Sequence, residues 1–157
     1  MTKYLSPEAQ AFESNTSALD ASAITKLGTR ARDTEGGEWI YLLGVASTTA
    51  GKFATWNESY ATALLVADCA APIGVAGAAI VASTYGWYQV WGLNVEASTD
   101  TVAGDTAAWV DGTAGRIDDA GSAGDWISGC WIRTADVSNV ATVQLSYPGT
   151  YHSGYLT

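Results

Sequence analysis

From residue 36 onward the chain is a series of short apolar runs of strand length, separated by Gly, Thr, Ser and Asp. The longest is Tyr85-Gly86-Trp87-Tyr88-Gln89-Val90-Trp91-Gly92, large residues bracketed by glycines, continuing to Val95. Period 2 puts Trp87, Gln89 and Trp91 on one face of a strand and Tyr88 and Val90 on the other. Similar runs occupy 38–43, 51–56, 61–67, 73–81, 106–110, 115–118, 125–134 and 140–147. Gly74 and Gly77 would each cost about 1 kcal/mol in a helix, so the small-residue run 73–81 reads as a strand. Short strands with turn signals at this spacing predict an all-β barrel or sandwich.

Residues 1–36 lack this pattern. Ser6-Pro7-Glu8 is a helix start, with Ser as N-cap and Pro in the first turn, so 7–13 predicts a turn or two of helix. Ser14 to Arg32 is polar and rich in Ala, with scattered Leu19, Ile24 and Leu27, and reads as an extended arm lying on its own body or on a neighbour. This divides the chain into an N-terminal arm (1–36), a β-rich body (37–147) and a Tyr- and Gly-rich tail (148–157).

The body contains an echo. Glu38 to Gly44 matches Gly86 to Gly92, Ala50 to Trp56 matches Ala103 to Trp109, and Ile73 to Gly77 matches Ile127 to Trp131. This pairs Trp39 with Trp87 and Trp56 with Trp109, and predicts two related β-units in one body.

Composition narrows the partners. A 157-residue chain that is 48% hydrophobic and 15% charged can bury an ordinary core as one domain. Its net charge of -9 disfavours nucleic acid, whose phosphates need a basic surface, and suits docking on a basic patch. No run reaches the ~18 apolar residues that would span a bilayer, and the first residues have no apolar signal core, so the expectation is synthesis in a cytoplasm and no membrane partner. Cys69 and Cys130 read as reduced, buried thiols, and two distant cysteines with the single His152 make no zinc pattern.

Candidate chemistry is sparse. Asp118 and Asp119 are adjacent, and Asp105 and Asp111 flank one short run, which fits solvated turns better than the facing carboxylates of a glycosidase. The stretch Asp111 to Asp119 lacks the alternating oxygen ligands of an EF-hand and contains Arg116. No nucleophile elbow or phosphate loop is present, and His152 reads as a surface residue of the tail. No cofactor, metal or catalytic residue is assigned. The aromatics stand out: seven Trp and eight Tyr exceed what a core of this size needs, which points to a binding face.

The order of motifs carries a resemblance. Tyr85 to Gly92, Val102 to Asp105, Thr113 to Asp119, Ile127 to Ile132 and Val140 to Leu145 together resemble tailed-bacteriophage capsid decoration (cement) proteins. The likeness covers roughly 85–145, is looser over 36–83, and does not reach residues 1–35. It implies a non-enzymatic virion protein on the outer capsid surface, a homotrimer bound to the major capsid protein, with the N-terminal arm reaching neighbouring subunits. On that reading Tyr4, Leu5, Phe12, Leu19, Ile24 and Leu27 of the arm, with Trp87 and Trp91, are the interface candidates. The aromatics also fit a carbohydrate- or receptor-binding module of a phage fibre. A small hydrolase rests only on the acidic residues.

Overall fold

The structure, a computed structural model, describes residues 19–121 and 124–150. The helix start at 7–13, the arm candidates Tyr4, Leu5 and Phe12, and His152 lie outside the described residues. The protein is all-β. The strands are β1 (Leu19–Asp20), β2 (Arg30–Arg32), β3 (Glu38–Leu43), β4 (Phe53–Trp56), β5 (Thr62–Leu64), β6 (Ile73–Ala76), β7 (Tyr85–Ser98), β8 (Thr106–Val110), β9 (Ile117–Asp118), β10 (Trp126–Ile132) and β11 (Val140–Thr150). They form one strongly curled antiparallel sheet, a half-barrel. No helix among the described residues is long and apolar enough to cross a membrane.

Alternation is the reason the sheet curls around a core. Ile127, Cys130 and Ile132 of β10, Ala141, Val143 and Leu145 of β11, and Ala108 and Val110 of β8 all point inward, where they meet Phe53, Ile73 and Val75. The inward positions of β10 are out of simple phase because Gly129, at φ 73°, makes a bulge between Ser128 and Cys130. A second cluster joins Ile40 and Leu42 of β3 to Ala76 of β6 and to Tyr88 and Val90 of β7.

The strand order β5-β4-β6-β7-β11-β10-β8-β9 reads the same from either end once β4, β5, β6 and β7 are matched to β8, β9, β10 and β11. Each half has a hairpin (β4–β5, β8–β9), a strand paired to its first arm (β4–β6, β8–β10) and a last strand beside that (β6–β7, β10–β11). In each half the first strand also pairs with the last: Leu43 lies opposite Tyr85, and Ser98 opposite Val140. A parallel bridge closes each unit, Leu43 to Ala61 and Thr99 to Ile117. Thus β7 belongs to both units, as the last strand of the first and the first strand of the second, which accounts for its 14 residues.

The backbone strain repeats with the topology. Ten of the fifteen described residues with positive φ fall into pairs: Gly51 and Asp105, Tyr60 and Gly115, Asp68 and Gly124, Ser83 and Ser138, Gly92 and Tyr147, each 54–56 positions apart. Left-handed backbone is unfavourable for residues with a Cβ, so its recurrence at one spacing marks one chain path traced twice. The match of Trp56 with Trp109 falls one residue short of this spacing. The match of Trp39 with Trp87 is of another kind: β3 and the first half of β7 are paired neighbours, with Tyr41 opposite Trp87 and Trp39 opposite Gln89. The body also extends three residues past the expected boundary at 147, because β11 runs to Thr150.

Candidate interaction surface

The outer face of β7 changes character at Gly92. Before it, Trp87 is buried among Trp39, Tyr41 and Ala31, with Leu27 and Tyr85 packed alongside. The cover comes from residues 19–37. β1 pairs with Tyr85 and Gly86, and β2 pairs with β3. The Tyr41 ring packs tilted against Trp87 at 5.1 Å, and its hydroxyl donates to Asp20 Oδ2 at 2.7 Å, which fastens β1 across the cluster. Burial, with help from that carboxylate, raises the Tyr41 pKa far above the usual phenol range. The β2–β3 turn is built on buried Asp33, which accepts from the Glu35 and Gly37 amides and, at 2.8 Å, from Trp39 Nε1.

Trp87 is therefore a core residue and not an interface residue, at 1% exposure. Alternation placed it on the face opposite Tyr88, but both faces of this half of β7 are covered, one by the barrel interior and one by the N-terminal segment. The described arm candidates are divided. Leu27 packs on its own body, whereas Leu19 and Ile24 are exposed on the outside of the strap.

The kink is held by side-chain amides. Gly92 has φ 96°, and a Cβ there would approach Gly37 Cα to 3.1 Å. Fully buried Gln89 donates from Nε2 to the carbonyls of Trp91 (2.9 Å) and Leu93 (3.0 Å) and accepts from Asn94 Nδ2 (2.9 Å). Asn94 Oδ1 in turn accepts from the Glu96 amide. The Trp91 and Leu93 carbonyls at the bend are thereby given side-chain donors.

Past the kink the same face is bare. Trp91 (40%), Leu93 (53%) and Val95 (57%) follow one another along β7. Leu93 lies opposite Gln144 of β11, and Gln144 opposite Trp131 of β10, itself 43% exposed. Trp91 packs at 5.2 Å against Tyr147, whose hydroxyl donates to Glu38 Oε2 at 2.9 Å. That hydrogen bond to Glu38 raises the Tyr147 pKa. Arg30 lies over the Tyr147 ring at 5.6 Å and bridges Glu38 at 3.0 Å, with Arg32 at 3.6 Å. Farther along the same sheet face, Trp126 is exposed opposite Trp109.

The acidic candidates serve turns. Asp111 accepts from the Thr113 amide, Asp119 from the Ala103 amide and Asp118 from the Asp119 amide. Burial raises the Asp118 pKa, with its acidic neighbours adding to the shift. No group of three or more His, Cys, Asp or Glu among the described residues is placed to hold a metal. Both cysteines are free. Cys69 Sγ lies 3.1 Å from Thr150 Oγ1, and burial pushes the Cys130 thiol up to about 12.

Sequence reading found Trp91 but missed Leu93, Val95, Trp131 and Tyr147 as one surface. The first two carry a legible alternation. Their contact with Trp131 depends on β11 lying between β7 and β10, which no local pattern encodes. No family model, curated protein or solved structure matches the chain.

Proposed function

We propose that this chain is a structural protein of a phage particle that decorates and stabilises the outer capsid surface as a homotrimer on the major capsid protein. The observation that carries this reading is a sheet face left bare among the described residues, where three Trp, a Tyr and aliphatic residues stand exposed on paired strands. Contiguous exposed apolar surface of this kind marks a contact with another macromolecule. The motif order of 85–145 and the net charge of -9, suited to a basic docking patch, support the same reading. Attachment through several copies would turn weak single contacts into durable binding.

The test is cofractionation of the full chain with intact heads, and its location on their outer surface. Because Leu27 and Ala31 cover Trp87, a truncation that probes the arm must stop before Leu19. Removing residues 1–18 should lower head occupancy while leaving the body folded by circular dichroism. Full occupancy by the truncated chain would remove the arm from the account. Absence from heads together with glycan binding lost on Trp131→Ala would favour the receptor-binding module instead.

A further inference from the structure

We infer that the bare outer face of β7, β11 and β10, centred on Leu93 and Trp131, is a contact surface for a second copy of this chain. This rests on the homotrimer of the decoration reading and names the face through which its copies meet.

Three observations lead there. The first is the equivalence of the two units. In the first unit the outer face of the paired first and last strands, β3 and the front of β7, is apolar and is sealed by residues 19–37. The matching face of the second unit is formed by the back of β7 and by β11. The segment that precedes its first strand is already in use as β6 and the front of β7, so it cannot fold back as a cover. Among the described residues the second unit is thus left with an apolar face and no segment of its own to close it.

The second observation is size and shape. Trp91, Leu93, Val95, Trp131 and Tyr147, each 40% exposed or more, leave on the order of 500 Å² of surface open. That is at the upper end of the patches found on monomers, and with its rim it approaches the ~800 Å² each partner contributes to a standard protein interface. Its centre is strand backbone in regular register, with Leu93, Gln144 and Trp131 in one row, which is a face for another sheet and not a pocket for a small molecule.

The third observation is charge. The centre of the patch carries none, and its rim carries both signs. Arg30, Arg32 and Glu38 stand by Tyr147, Glu96 follows Val95, and Arg133 follows Trp131 and Ile132. A strongly basic or acidic partner would call for one sign. A rim of both signs around an uncharged centre suits another copy of the chain, whose surface carries both signs as well.

Sedimentation equilibrium of the full chain, with Leu93→Glu and Trp131→Ala, tests this. The wild type should associate above the 16.3 kDa monomer mass at micromolar concentration. Each variant should weaken association by about tenfold or more, as expected for residues at an interface centre. Val81→Glu, exposed and remote from the patch, should leave association unchanged. Far-UV circular dichroism matching the wild type keeps a loss of association from being a loss of fold. A wild type that stays monomeric at about 100 µM, or patch variants that associate as the wild type does, would overturn the inference. A monomer that still binds heads would overturn it together with the homotrimer, and leave attachment to heads standing. A self-associating chain that never binds heads would do the reverse.

Discussion

One strand, β7, shows the same face in two environments. Around Trp87 that face is covered by the strap of residues 19–37, which seals Trp39, Tyr41 and Trp87. Around Leu93, the residue directly after the kink at Gly92, it is open to solvent. Composition does not separate the halves, since both are rich in Trp and aliphatic residues. What separates them is the supply of chain. The first unit has residues ahead of its first strand that fold back over it, whereas the second unit begins inside the first. A repeat that shares a strand leaves one of its two equivalent faces uncovered, and in this protein that face is the candidate contact surface.

The comparison breaks most directly at the two tryptophans. Trp87→Ala should destabilise the fold by about 3–5 kcal/mol in urea unfolding, through lost burial and a cavity under the strap. Equal costs at Trp87 and Trp91 would mean that the two halves are not different environments.

Gln89→Leu sharpens the boundary between them. It leaves the part-buried Trp91 and Leu93 carbonyls without their side-chain donor, at a cost of about 1–3 kcal/mol. It should also weaken self-association with no residue of the patch changed, because the back half of β7 loses its fixed angle. Unchanged association in a destabilised Gln89→Leu protein would show that the kink does not position the patch.

Alkaline pH probes burial on the covered side and in the barrel core. Cys130 and Tyr41 both have folded pKa values raised above their unfolded ones. Folding therefore holds protons that the unfolded chain releases. The stability these groups contribute is present below the unfolded thiol value near 9 and falls as pH rises toward 12, at on the order of 1 kcal/mol per pH unit for each proton. Urea midpoints between pH 8 and 11 should decline, and Cys130→Ala should flatten the first part of the decline. A flat profile in the wild type would contradict the burial of Cys130.

The smallest effect is expected on the bare side. Trp91→Ala should change stability by less than about 1 kcal/mol, because the ring is 40% exposed and its main partner is Tyr147.

The all-β class was legible because alternation and turn residues are local signals. Runs such as 38–43, 106–110 and 140–147 lie within or overlap the observed strands. The repeat was legible only in part. Trp56 and Trp109 lie in the equivalent strands β4 and β8 but one residue out of register, and the similarity of Trp39 to Trp87 comes from two apolar strands that pair with each other. The stronger repeat signal is left-handed backbone, and sequence conceals it: Gly92 corresponds to Tyr147, Gly51 to Asp105, and Tyr60 to Gly115. Glycine is the residue that announces positive φ, and in each of these pairs only one member is glycine. The burial of Trp87 was not legible either, because its cover is a polar, Ala-rich segment with no strand pattern of its own. Among the described residues of that segment, Ala31 and Leu27 supply its apolar contact.

The central claim is that the Leu93 face is closed by a partner copy while its equivalent is closed by the chain itself. Side-chain oxidation footprinting across a concentration series tests it most directly. Trp91 and Trp131 should become protected as protein concentration rises, Trp87 should be protected throughout, and Val81 should react equally at every concentration. Constant labelling of Trp91 and Trp131 from the nanomolar to the high micromolar range would contradict it.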